Sequence, residues 1–278
     1  MSAALDAPRL TTRPAVLVAQ AKANTALQAA ARDVTALLRA LPNGNVPIPN
    51  CDWTVAETAV HLCAGTRLYL DCARGESSPV TDLGALPAMN AQLFRDFTER
   101  DPATLADLID EAVAAYVDTT NQARGDEPIA WHLGHVLPLS MLTCILVGEY
   151  LVHGYDVARA TGRPWTITPA QARYAIAGLS AAMPLAVDPE GARGVDAAYE
   201  IRVRGGPRFV CRFRDGALRV ERPGPGRVDC RFSVEPVPYL LVSYGRRSQW
   251  LDILRGQMRA WGRKPWLAMC FKRLLRQV

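Results

Sequence analysis

Two periodicities divide the chain. Up to about residue 188 the apolar positions recur at helical spacing, and beyond it they alternate. From Ala15 to Leu41 the sequence has helix-forming composition and no breaker until PNGNVPIPN, which predicts a first helix. Thr54 followed by Glu57 is a capping-box pattern, so a second helix starts there, runs to about Arg74 and closes at Gly75. Two further helical stretches follow at Ala88–Thr98 and Ala103–Gln122. The connector ARGDEPIAWHLGHVLP carries no clear period. A long apolar helix is then expected from about Leu139 to Thr161, stopped by Gly162, and a further one from Pro169 to Leu185 with Thr168 as its cap.

After Asp188 the period is two. Tyr199, Ile201 and Val203 alternate with Glu200, Arg202 and Arg204; Phe209, Cys211 and Phe213 do the same, as do Val228, Cys230, Phe232 and Val234. Asp215-Gly216 between alternating runs signals a hairpin. These read as antiparallel strands, each half-buried, with arginines on the wet face. PVPYLLVSYG and RSQWLDILRG read as short helices, MRAWG as a returning strand, and KPWLAMCFKRLLRQV as a C-terminal amphipathic helix. The expected architecture is a helical bundle followed by a small α+β domain, joined by DPEGARGVD, which has linker composition.

Charge sharpens that division. Residues 1–190 carry 13 Lys/Arg against 20 Asp/Glu, and residues 191–278 carry 19 against 7, so the overall +5 conceals −7 and +12. The basic part carries no nucleic-acid motif, and few aromatics sit among its arginines, so no nucleic-acid partner is expected. The seven cysteines are odd in number and never spaced C-x-x-C, which points to a reducing cytoplasm. The N-terminal residues lack a secretory apolar region, and the longest apolar run, Val136 to Val147, is too short to span a bilayer.

The chemistry concentrates in CILVGEYLVHGYDVARATG. Glu149 and His153 interrupt an oily helix four residues apart, so both project from one face. A carboxylate among Leu142, Ile145, Leu146 and Val152 requires a charged partner or a metal. His61, on the second helix beside Ala64 and Gly65, can meet them if the two helices face each other in a bundle. Two histidines and a carboxylate form a three-ligand set for a divalent metal with open coordination positions. Asp156, one turn beyond His153, can orient that imidazole. The same residues also admit a helix-surface ion pair and a core histidine with a backbone partner. His132 and His135 read as loop histidines, and Arg246, Arg247 and Arg263 as candidate holders of an anionic substrate.

DWTVAETAVHL together with GEYLVHGYDVARATG resembles the mycothiol-dependent maleylpyruvate isomerase family of the DinB-like superfamily. The resemblance implies a DinB-like four-helix bundle over residues 15–188; the residues ahead of it, 1–14, read by themselves as a disordered tail. It also implies a metal, usually zinc, bound by His61, Glu149 and His153, and mycothiol as cosubstrate. The family pattern falls here on Trp53, His61, Glu149, His153 and Asp156. Residues 195–278, with DCRFSVEPVPYLL and the tail LRGQMRAWGRKPWLAMCFKRLL, are similar to a sterol-carrier-protein-type (SCP2-like) α+β domain. One departure stands out: isomerase-like members commonly carry an arginine shortly before the helix glutamate, where this chain has Ile145, Leu146, Val147 and Gly148.

The function this implies is a metal-dependent isomerase or S-transferase acting on a small electrophile. Its nucleophile is the low-molecular-weight thiol, and no protein side chain takes that role. The alternatives are a lipid- or small-ligand-binding protein with a structural metal, and a metal-dependent hydrolase.

Overall fold

The structure, a computed structural model, describes residues 14–49 and 51–276. Most of the tail expected at 1–14 therefore lies outside the described residues.

Helix α1 (Gln20–Arg39) buries a stripe of Ala23, Leu27, Ala30, Val34 and Leu38 at helical spacing. Helix α2 (Val55–Ala73) begins at the expected capping box: Glu57 N–H donates to Thr54 Oγ1 at 3.2 Å, and Thr54 N–H donates to Glu57 Oε2 at 2.7 Å. Helix α3 (Leu86–Asp96) is a short outer element. Helix α4 (Pro102–Thr120) is capped by Asp101, which accepts from the Thr104 amide at 2.8 Å. Helix α5 (Leu139–Thr161) ends at Gly162 in the left-handed conformation, φ 64°. Helix α6 (Pro169–Ala182) starts at a second capping box, Thr168 with Gln171, and runs on into a 3-10 turn, Met183–Ala186.

Helices α1, α2, α4 and α5 form a four-helix bundle in which α1 and α2 each pack against both α4 and α5. Helix α6 covers the outer side of α5. Helix α5 is thus enclosed on nearly every side, which is why its sequence is apolar throughout and not striped. The approach of α6 depends on Gly178, where a Cβ would lie 2.4 Å from the backbone of Cys144 and Ile145.

The connector before α5 is a small hairpin. Strands β1 (Pro128–Ala130) and β2 (Val136–Pro138) pair antiparallel, with Ile129 opposite Leu137.

Beyond the bundle lies a five-stranded mixed sheet. Its strands are β3 (Ala197–Val203), β4 (Arg208–Arg214), β5 (Ala217–Glu221), β6 (Cys230–Val234) and β7 (Met258–Gly262). The order is β5-β4-β3-β6-β7; β3 and β6 run parallel and all other neighbours are antiparallel. The expected hairpin joins β4 to β5, with Asp215 at φ 51° and Gly216 at φ 74°. Helices α7 (Pro236–Ser243) and α8 (Gln249–Leu254) connect β6 to β7, and α7 packs on α6.

The C-terminal segment departs from expectation. It is not an α-helix but two 3-10 turns, Pro265–Met269 and Phe271–Leu274. Its end pairs with the chain leaving α6: Val187 bridges Leu275, and Asp188 N–H donates to Leu274 O at 2.9 Å. That pairing requires extended backbone at Leu275, and it seats Phe271 over Tyr199 with ring centroids 4.9 Å apart. Covering the aromatic face of the sheet outweighs the helix propensity of the segment. At the joint, the residue of linker composition Ala192 is buried, and Gly191 lies against the Arg273 carbonyl. A continuous hydrophobic core runs from the bundle into the sheet.

Among the described residues no helix is long and apolar enough to cross a membrane. All seven cysteines are free thiols.

Candidate metal centre

Helices α2 and α5 face each other where the sequence places its histidines. Glu149 and His153 project from α5 one turn apart, and His61 meets them from α2. His61 Nε2 lies 3.4 Å from Glu149 Oε2, and His153 Nε2 lies 3.4 Å from the same oxygen. One donor atom from each of the three falls within 4.8 Å of the others, the single such group of metal-binding side chains among the described residues. Trp53, just before the Thr54 cap, lays its indole beside both imidazoles, with centroids 4.9 Å from His61 and 5.8 Å from His153. Phe94 of α3 meets the edge of that indole at 5.2 Å.

The electrostatics are those of a tightly paired cluster. Burial alone would raise the Glu149 carboxyl, but the hydrogen bonds from His153 and His61 outweigh it and hold the group well below the usual carboxylate range. Burial likewise opposes protonation of His153, yet Asp156 and Glu149 overcome it and push the imidazole up to about 9. Two imidazole nitrogens and one carboxylate oxygen, converging at this separation, are a donor set that suits a divalent cation. A cation would take the place of the proton shared in the cluster.

Asp156 sits one turn further along α5. Its Oδ2 is 3.6 Å from His153 Nδ1, and it accepts from Arg246 through both oxygens, Nε to Oδ1 at 3.1 Å and to Oδ2 at 3.2 Å, and Nη2 to Oδ2 at 2.8 Å. Arg246 follows α7, so the basic C-terminal region supplies a guanidinium close to the cluster. Burial would raise the Asp156 carboxyl, but His153 and Arg246 together hold it low. Arg246 Nη1 also donates to Tyr244 O at 2.7 Å. The Tyr244 side chain reaches the same helix because Gly148 has no side chain; a Cβ there would lie 3.1 Å from the Tyr244 hydroxyl.

The remaining sequence candidates fall elsewhere. Arg247 is engaged with the fully buried Asp252 at 2.5 Å. Arg263 is exposed and makes no ion pair among the described residues. His132 accepts or donates a 2.7 Å hydrogen bond with Ser78 through Nδ1, and burial lowers its pKa to about 4. His135 Nε2 lies 3.1 Å from Ala181 O. Neither connector histidine joins the cluster.

Sequence reasoning missed a second group. Tyr69 of α2 sets its ring edge against Trp131 and His132, and Trp131 stacks on His132 at 4.3 Å. The Trp131 Nε1 is buried beside Tyr69, whose hydroxyl is the polar group nearest to hand for it. The hydroxyls of Tyr69 and Tyr244 are held firmly protonated, first by burial and then by the negative charge of Glu149. For Tyr244 the available signal was Gly148: a glycine inside a buried helix announces that something packs against the backbone there.

The family model described as the mycothiol maleylpyruvate isomerase N-terminal domain matches residues 7–158, a span that includes His61, Glu149, His153 and Asp156. A crystal structure of the mycothiol-dependent maleylpyruvate isomerase is similar in fold, with TM-score 0.51 at 14% identity over 83% of this chain and 91% of that one. A crystal structure of a histidine-to-alanine mutant of that enzyme gives TM-score 0.50 at 14% identity, over 87% of this chain and 93% of the other. At such identity the likeness speaks to fold alone. Among curated proteins none matches.

Proposed function

Because this chain belongs to the family of the mycothiol maleylpyruvate isomerase N-terminal domain, we propose that it is a metal-dependent enzyme using a low-molecular-weight thiol, mycothiol, to isomerise or conjugate a small electrophile. The observation that carries this reading is the convergence of His61, Glu149 and His153 within 4.8 Å between two bundle helices. In this reading these three residues hold the metal, most suitably zinc. When bound, the metal supplies Lewis acidity and lowers the pKa of a thiol that reaches its open coordination positions.

The chain's own groups then have distinct tasks. Asp156 holds His153 through Nδ1 and keeps Nε2 turned towards Glu149. Arg246 fixes Asp156 and brings positive charge near the site, in the place of the arginine missing before Glu149. That charge suits a carboxylate-bearing electrophile. Tyr69 and Tyr244 stay protonated, so either hydroxyl can donate a hydrogen bond to a substrate oxygen. Trp53 lies beside both imidazoles and is backed by Phe94, which fixes one side of the site. Arg247, committed to Asp252, is assigned no contact with substrate, and Arg263 remains a weaker candidate.

In the same reading the two parts are a DinB-like unit over 15–188 and a sterol-carrier-protein-like unit over 195–278, in a cytoplasmic protein. The sheet region serves the bundle by delivering Tyr244 and Arg246.

The test is conversion of maleylpyruvate-like electrophiles by protein loaded with or stripped of zinc, each with and without mycothiol. A rate that needs both metal and thiol supports the proposal. Isomerisation returns the thiol and conjugation consumes it, so thiol titration separates the two. A rate that needs the metal and ignores the thiol would identify a hydrolase. No rate, with an apolar ligand co-purifying, would identify a binding protein.

A further inference from the structure

Large apolar side chains are exposed in one place far more than elsewhere. Of the ten exposed large hydrophobics among the described residues, seven lie between positions 250 and 269. Helix α8 is the extreme case. Trp250, Leu251, Ile253 and Leu254 are all exposed, Leu254 by 85%, and the helix is anchored inward by Asp252. The chain turns at Gly256, against which the Arg259 side chain lies, and enters β7, the edge strand of the sheet. Trp261 on β7 is exposed by 40% and Trp266 in the following 3-10 turn by 63%. Strand β7 packs against both α8 and that turn, so the exposed side chains of α8 and of the turn flank one edge of the sheet, and Trp261 on its arginine-bearing face lies under Arg202.

The charges in the same segment are of one sign. Residues 249–276 contain seven Lys and Arg and a single acid, Asp252, which is fully buried and paired to Arg247. Arg255, Arg259 and Arg263 are exposed and make no ion pair among the described residues. An apolar surface of this kind, rimmed by cations, requires an occupant.

We propose that the face formed by α8, β7 and the Pro265–Met269 turn docks on an anionic lipid surface, with Trp250, Leu251, Leu254 and Trp266 entering the headgroup boundary and the surrounding arginines meeting lipid phosphates and carboxylates. Tryptophan and leucine beside arginine and lysine are the composition that lies in a membrane interface without spanning it. Clustered cations add electrostatic attraction to acidic lipids.

Two other occupants fit less well. Apposing this face with itself in a second copy would bring cations against cations with no exposed acid between them. Head-to-tail packing would need an apolar counterpart elsewhere, and the other exposed large hydrophobics, Leu17, Met89 and Leu133, are three single residues distant in sequence. A nucleic acid would satisfy the cations and leave Ile253 and Leu254 in water.

The experiment is flotation of the full chain with phosphatidylcholine vesicles, with and without phosphatidylserine, at low and high salt. The expected result is binding to the serine-containing vesicles alone, weakened by salt, as screening of surface charges requires. Arg255→Glu and Arg263→Glu should each weaken it by about fivefold or more. Leu254→Glu should abolish it while leaving helix content and metal content unchanged. Absence of binding to acidic vesicles at low salt would overturn the proposal. So would equal binding by the wild type and Leu254→Glu. A concentration-dependent dimer that Leu254→Glu disperses, in a protein that ignores vesicles, would assign the face to self-association instead.

Discussion

Arg246 and Asp156 join the sheet region to the bundle: the guanidinium donates to both oxygens of the carboxylate, at 3.1 and 2.8 Å, ninety positions away in the chain. Asp156 in turn stands 3.6 Å from His153 Nδ1, so a residue after α7 lies two contacts from the cluster. If Asp156 orients His153, Asp156→Asn should weaken zinc affinity by about 10–100-fold in a chelator competition, with helix content unchanged. Arg246→Ala should weaken it less, because Asp156 keeps its charge, and should raise KM for an anionic electrophile. Equal zinc affinity in Asp156→Asn and wild type would reduce the aspartate to a joint between the two regions.

The triad makes a stoichiometric prediction. Purified protein should carry about one divalent metal per chain, since three converging ligands suit a four- or five-coordinate site. His61→Ala, Glu149→Ala and His153→Ala should each lose most of it by elemental analysis. Full occupancy in all three variants would remove the metal reading.

His132 predicts an acid-sensitive stability. Burial lowers its folded pKa to about 4, against about 6.5 in an unfolded chain. The unfolded chain therefore binds a proton in a range where the folded one does not. The contribution to stability is complete above about pH 6.5 and is lost as pH falls through about 4, to a total on the order of 3 kcal/mol. In His132→Gln this component should vanish. The check is the urea midpoint of both proteins at neutral pH and near pH 4.5; a parallel fall in the two would point to other groups.

Gly178 predicts a packing limit. A Cβ there meets the backbone of α5, which cannot swing aside as a side chain would. Gly178→Ala should therefore destabilise by about 1–3 kcal/mol despite alanine's better helix propensity. A thermal midpoint equal to or above that of the wild type would show that α6 shifts freely over α5.

Local spacing was enough for much of this protein. Thr54 with Glu57 announces the start of α2, Gly162 the end of α5, and Asp215-Gly216 the hairpin of β4 and β5, because each signal acts within a turn of itself. The separation of Glu149 and His153 likewise puts both on one helix face before any fold is known. That His61 would meet them needed the added premise of a bundle, which apolar periodicity supports but does not orient. The rest depended on packing between distant segments. Nothing near Asp156 names Arg246 as its partner, and Gly148 marks a close approach without saying that Tyr244 makes it. The parallel pairing of β3 with β6 skips an intervening hairpin, which alternation alone does not encode. The C-terminal segment shows the limit most plainly: its residues favour an α-helix in isolation, yet Phe271 must cover the sheet and Leu275 must reach Val187. Burial and pairing across the fold decided that conformation against local preference.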